Sequence, residues 1–197
     1  MRKIIQSLAL IALLVIASIP SSPTTSAVTA ADWSAGNIVS DYYFYNGNAM
    51  SVGDIQSFLN SLVPVCDTWG AKMYGSITRA QWGINNGSPA PFICLKDYYE
   101  NPTTHETNFN PTASVPAGAI SAAQIIYNAA QQYNISPKAI LVTIKKEAPL
   151  NLIGDDWPVL SEYRSALGYA CPDTAPCDSQ FYGFYNQVQN SARQFRL

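Results

Sequence analysis

Between Ser136 and Pro149 the chain has little choice but to form a short helix, and the rest of the sequence has to be arranged around it. The Ser136 hydroxyl can cap free backbone N–H groups, and Pro137 fits the first helical position, where no N–H is needed. Pro149 cannot extend the hydrogen-bond ladder and pushes Ala148 away from helical angles. Glu147 therefore falls in the last turn. At roughly 100° per residue it projects about 20° from Ile140 and about 60° from Ile144, with Lys145 and Lys146 flanking that face. The acid thus shares the side that the isoleucines bury. Desolvation and the negative end of the helix dipole both favour its neutral form, which predicts a raised pKa, the state a general acid needs. The alternative is a surface carboxylate in a frayed last turn beside Lys145 or Lys146.

The chain of 197 residues is 48% hydrophobic and 12% charged, enough apolar material for one or two compact domains. Met1–Ala30 has the layout of a secretory signal: Arg2 and Lys3, an apolar run from Ile4 to Ile19, then Val28-Thr29-Ala30. Cleavage is expected after Ala30, or alternatively after Ala27. The run contains Gln6 and Ser7 and is shorter than the roughly 20 apolar residues of a spanning helix, so a stable membrane anchor is disfavoured. Losing Arg2 and Lys3 leaves 9 of the 11 Lys+Arg against 13 Asp+Glu, so the formal charge moves from −2 to −4. That balance argues against a nucleic-acid partner.

Cys66, Cys94, Cys171 and Cys177 all lie in the exported part, where oxidation is permitted. Of the three possible pairings the local one is favoured: Cys66 with Cys94, and Cys171 with Cys177 closing the loop CPDTAPC. A zinc site is the competing use of these residues. The spacings fit no common ligand pattern and the single histidine, His105, stands alone among Thr and Glu, so no metal or cofactor is expected.

Mainly helical periodicity runs through the exported part. Ser51 with Asp54 reads as a capping box for a helix whose apolar stripe is Ile55, Phe58, Leu59 and Leu62. Residues 31–99 read as a disulfide-tied, loop-rich region. Its Trp69, Tyr74, Trp82 and Phe92 suit either a small core or a sugar-binding surface. Residues 100–118, rich in Asn, Thr and Pro, read as a linker. Ser121 with Gln124 starts a helix with Ile125, Ile126, Ala129, Ala130 and Tyr133 on its apolar face. Asn134 and Ile135 then turn the chain into the Glu147 helix as an antiparallel neighbour. A short helix over 159–167 and an amphipathic one bearing Val188, Ala192 and Phe195 follow. That last helix runs straight to the terminus, so the chain is expected to be truncated or a fragment.

These residues carry a resemblance. SPKAILVTIKKE is similar to the stretch around the catalytic glutamate of lysozyme-like lytic transglycosylases and related glucosaminidases, a helix of the form P-x-x-L-L-x-x-I-x-x-E, with Glu147 at the acid's position. Gly183-Phe184-Tyr185-Asn186-Gln187 resembles, with one residue more, the Gly-Leu-Met-Gln-like segment that lines their cleft. Ala148 stands where the family usually has Ser, and Pro149 is unusual there. The block CPDTAPCDSQFYGFYNQV more closely resembles secreted actinobacterial and Saccharibacteria-type haemagglutinin-like proteins. The resemblance spans Ser121 to Phe195 and implies a lysozyme-like helical domain over residues 119–197, preceded by the small disulfide-tied lobe.

The function it implies is a secreted or wall-associated glycosidase or lytic transglycosylase cleaving the β-1,4 aminosugar backbone of peptidoglycan. Glu147 would be the general acid. Asp155 or Asp156 would be a partner carboxylate, and Tyr182, Tyr185, Asn186 and Gln187 would bind the sugar. The competing expectation is a non-catalytic adhesin or module that binds a cell-surface polysaccharide on the same scaffold. A nucleophile elbow, a phosphate-binding glycine loop and a poised Cys/His pair are all missing from the sequence.

Overall fold

The structure is a computed structural model and describes residues 39–109 and 114–197; the expected signal Met1–Ala30 lies outside them. A single turn, α1 (Asp41–Phe44), leads to α2 (Val52–Leu62). The α2 start is the capping box the sequence predicts: Asp54 N–H donates to Ser51 Oγ at 3.1 Å, and Ser51 N–H donates to Asp54 Oδ2 at 2.9 Å. Only half of its apolar stripe reaches the core. Ile55 and Leu59 are buried, whereas Phe58 and Leu62 are 39% and 41% exposed.

The Cys66–Cys94 disulfide brackets an antiparallel ribbon of β1 (Met73–Tyr74) and β2 (Ile77–Thr78), followed by α3 (Arg79–Asn85). Phe92 is core, while Trp69 and Tyr74 are exposed. The rings of Tyr74, Trp82 and Phe92 all meet Trp157, which follows the Glu147 helix in sequence.

The linker expectation for residues 100–118 needs correcting. Val39–Leu197 forms one compact unit. Glu100, the first residue of the expected linker, is fully buried in β3 (Tyr99–Glu100), which pairs with β4 (Ile120–Ser121). Asn and Thr side chains here bond the backbone instead of water. Asn101 Oδ1 accepts from Thr103 N–H and Thr104 N–H, and Asn108 bridges Tyr99 N–H and the Asp97 carbonyl. Polar composition therefore disguises a tied loop.

From Ser121, which accepts Gln124 N–H, α4 (Ala122–Tyr133) runs through the centre, with Ile125, Ile126, Ala129 and Ala130 fully buried. Asn134 ends it in the left-handed conformation, φ 50°, a cap that asparagine tolerates. α5 (Pro137–Glu147) follows, capped by Ser136 and ended where Ala148 turns extended before Pro149, as the sequence dictates. A 3-10 stretch (Pro149–Gly154), α6 (Leu160–Arg164) and α7 (Phe184–Gln194) complete the mainly helical architecture. α7 lies against α4 and buries Phe184, Val188 and Ala192. The second disulfide is Cys171–Cys177, so both local pairings hold. Among the described residues no helix is long and apolar enough to cross a membrane.

Candidate functional site

Glu147 closes α5 on the side that Ile140 and Ile144 bury, but its carboxylate is not itself buried. Its side chain is 39% exposed, and Oε1 accepts a hydrogen bond from Lys146 Nζ at 2.8 Å. The premise of a desolvated acid therefore fails, because the last turn of α5 carries the side chain past the edge of the core. The Lys146 ammonium is held above its usual range by that bond and by the Glu147 charge.

One wall of the Glu147 surroundings is a turn at Gly168. A Cβ built there would stand 3.4 Å from Glu147 Oε2, and Gly168 has φ +68°, so glycine suits the position on both counts. Gln187, fully buried, fixes this turn. Its Oε1 accepts from Leu167 N–H (3.2 Å) and Tyr169 N–H (3.0 Å), and its Nε2 donates to the Tyr169 carbonyl (3.0 Å) and the Phe181 carbonyl (2.9 Å). The expected sugar-binding role of Gln187 is corrected accordingly: every hydrogen-bonding position of its amide is taken by backbone. It positions the Gly168 turn beside Glu147. Gln187→Ala is expected to cost about 2–3 kcal/mol in urea unfolding, since four buried or part-buried backbone groups lose their partner together.

The disulfide loop joins the same arrangement. Asp178 N–H donates to the Ala170 carbonyl at 2.9 Å, and the Tyr169 and Phe181 rings meet edge to face at 5.0 Å. Tyr182, Tyr185 and Asn186 are half-buried. Asn186 Nδ2 is engaged with the Tyr182 carbonyl at 3.0 Å, and the backbone N–H of Tyr185 donates to Glu100 Oε2 at 2.9 Å. Among the described residues none of the three is hydrogen-bonded to Glu147.

The two aspartates beyond α5 do other work. Asp156 bonds Lys72 and, at 2.8 Å, Arg79, while Arg79 also reaches Asp67 at 3.3 Å and lies over the Trp157 ring. Burial alone would raise the Asp156 carboxyl, but Lys72 and Arg79 outweigh it and hold it below the ordinary range. Asp155 accepts Trp157 N–H at 2.9 Å and is raised by burial and by the neighbouring Asp156. This cluster ties the segment after α5 to the disulfide-bracketed ribbon; among the described residues neither aspartate is hydrogen-bonded to Glu147.

Three buried carboxylates escaped the sequence reading: Asp67, already met beside Arg79, Glu100 and Glu162. Glu100 accepts from Tyr98 OH (2.8 Å) and pairs with His105 Nδ1 (2.9 Å), so the histidine does not stand alone. Glu162 is 4% exposed, and its Oε2 has no hydrogen-bond partner among the described residues. Glu100 opens an Asn- and Thr-rich stretch and Glu162 lies in a short polar one, so neither gave a sequence signal of burial. No family model, curated protein or solved structure matches the chain, and the reading of the site rests on the geometry of these residues.

Proposed function

We propose that the chain is a secreted cell-wall glycosidase of the lytic transglycosylase type, with Glu147 as general acid on the β-1,4 aminosugar backbone of peptidoglycan. The observation that carries this reading is a solvent-reachable carboxylate at the end of a doubly capped helix, held beside a glycine turn that Gln187 clamps from four directions. Glu147 protonates the glycosidic oxygen as an oxocarbenium-like transition state develops. Lys146, whose side chain is 79% exposed, bonds Oε1 of the Glu147 carboxylate from the solvent side. The commitment of Asp156 to Lys72 and Arg79 supports the single-acid route, in which the substrate's own groups complete the reaction. Tyr182 and Tyr185, half-buried on the approach to α7, offer ring faces to the sugar.

The competing reading is a wall-binding module without chemistry. It draws on the same Lys146–Glu147 pair, in which the ammonium occupies one carboxylate oxygen. Digestion of purified peptidoglycan in a gel separates the two. The exported chain is expected to clear the gel and release anhydro-sugar ends, and Glu147→Gln is expected to lower the rate at least ~100-fold. Clearing that survives Glu147→Gln rejects Glu147 as the acid. Retention on walls with no clearing by the unaltered chain rejects the enzyme and favours the binder.

A further inference from the structure

The outward side of α5 carries a different kind of surface from the Glu147 side. Lys138, Val142 and Lys145 lie on it, and Lys138 projects about 180° around the helix from Glu147. Together with Phe58 and Leu62 of α2 and Ile153 beyond α5, they enclose a hollow of about 600 Å³. The apolar side chains here are open to solvent: Val142 is 66% exposed, and Phe58 and Leu62 are the half of the α2 stripe that the core leaves out. A second hollow of about 650 Å³, reaching toward Tyr42 and Tyr43, adjoins it and shares Lys138 and Val142.

The charge on this surface has one sign. Among the described residues Lys138 and Lys145 are the only charged ones lining either hollow, and neither has a carboxylate partner there, in a chain that is acidic overall. Lys145 Nζ donates to Asn151 Oδ1, which holds it at the rim; Lys138 Nζ, where the two hollows meet, has no hydrogen-bond or ion-pair partner among the described residues. An apolar trough of this size with a bare ammonium at its end suits a small amphiphile with an anionic head. A second copy of the chain suits it less, because a two-fold contact through this face sets Lys138 and Lys145 against the same lysines of the copy.

We propose that this groove binds one long-chain fatty acid, its carboxylate on Lys138 and its alkyl chain against Val142, Phe58 and Leu62. The site is independent of the Glu147 chemistry, being on the other side of the helix.

The test is displacement of a fluorescent polyene fatty acid from the full exported chain by palmitate and by hexadecanol, which has the same chain length and no charge. Palmitate is expected to bind about tenfold more tightly than hexadecanol. Lys138→Gln should remove that difference by weakening palmitate about tenfold, with hexadecanol unchanged. Val142→Glu should abolish binding of both. All these side chains are exposed, and circular dichroism confirms that the variants fold. The proposal is overturned if the probe shows no saturable binding, if palmitate and hexadecanol bind the unaltered chain equally, or if Val142→Glu binds like the parent. Sedimentation of the ligand-free chain as a dimer that Val142→Glu converts to monomer overturns it in favour of a second copy.

Discussion

Glu100→Leu is expected to lower the unfolding free energy by roughly 3–5 kcal/mol, measured from the shift of the urea midpoint at constant slope. Three groups converge on this fully buried carboxylate: Tyr98 OH at 2.8 Å, Tyr185 N–H at 2.9 Å and His105 Nδ1 at 2.9 Å. Tyr185 is the second residue of α7, and Gly183, its N-cap, has no side chain to offer. Glu100 therefore caps α7 from a distance of 85 residues in sequence. The negative charge also meets the positive end of the helix dipole. Burial and the Glu100 charge both raise the Tyr98 phenol, which keeps it a donor. Leucine fills the volume but leaves all three groups without a partner. Glu100→Gln, which retains one acceptor oxygen, is expected to cost about 1–2 kcal/mol. A leucine variant within 1 kcal/mol of the parent would mean that the cap contributes nothing and that α7 is held by Phe184, Val188 and Ala192 alone.

That contact shows where reading the sequence stops. α2, α4 and α5 were legible because each starts with a serine able to bond its own first turn, and because Asn134 and Pro149 end two of them within the same segment. Local disulfide pairing was legible for a similar reason, since chain closure favours near partners. Glu100 was not, because its partners Tyr98 and Tyr185 belong to different elements and nothing in an Asn- and Thr-rich context announces burial. Gln187 was misread on the same grounds: an amide beside tyrosines suits a sugar site, and only the fold shows four backbone groups around it. Phe58 and Leu62 mark a third limit. Helical periodicity tells which residues share a face but not how much of that face the neighbouring helices cover. The candidate acid was legible in position, through its place on α5, and not in environment, because burial at a helix end depends on what packs beyond it.

Glu162 should make the protein less stable as the pH rises, against the usual behaviour of a paired carboxylate. Its carboxyl lies in the first turn of α6, 4% exposed, with Val159 N–H 3.5 Å from one oxygen and, among the described residues, no hydrogen-bond partner for the other. Burial, followed by the charge of Asp155, pushes it from 4.5 up to about 8. Between those two values the unfolded chain has released a proton that the folded chain still holds, so each increment of pH favours unfolding. The stability associated with the neutral acid is fully present below pH 4.5 and is lost as the pH approaches about 8. Asp155, raised in the same direction, adds to the slope at the acidic end. Thermal melts from pH 5 to pH 9 should therefore show the parent losing on the order of 3 kcal/mol relative to Glu162→Gln, which carries no titrating proton. The two should be close at pH 5 and furthest apart at pH 9. A difference that stays constant across the range would show that Glu162 enters the fold already ionised, and the unpartnered Oε2 would then need a donor.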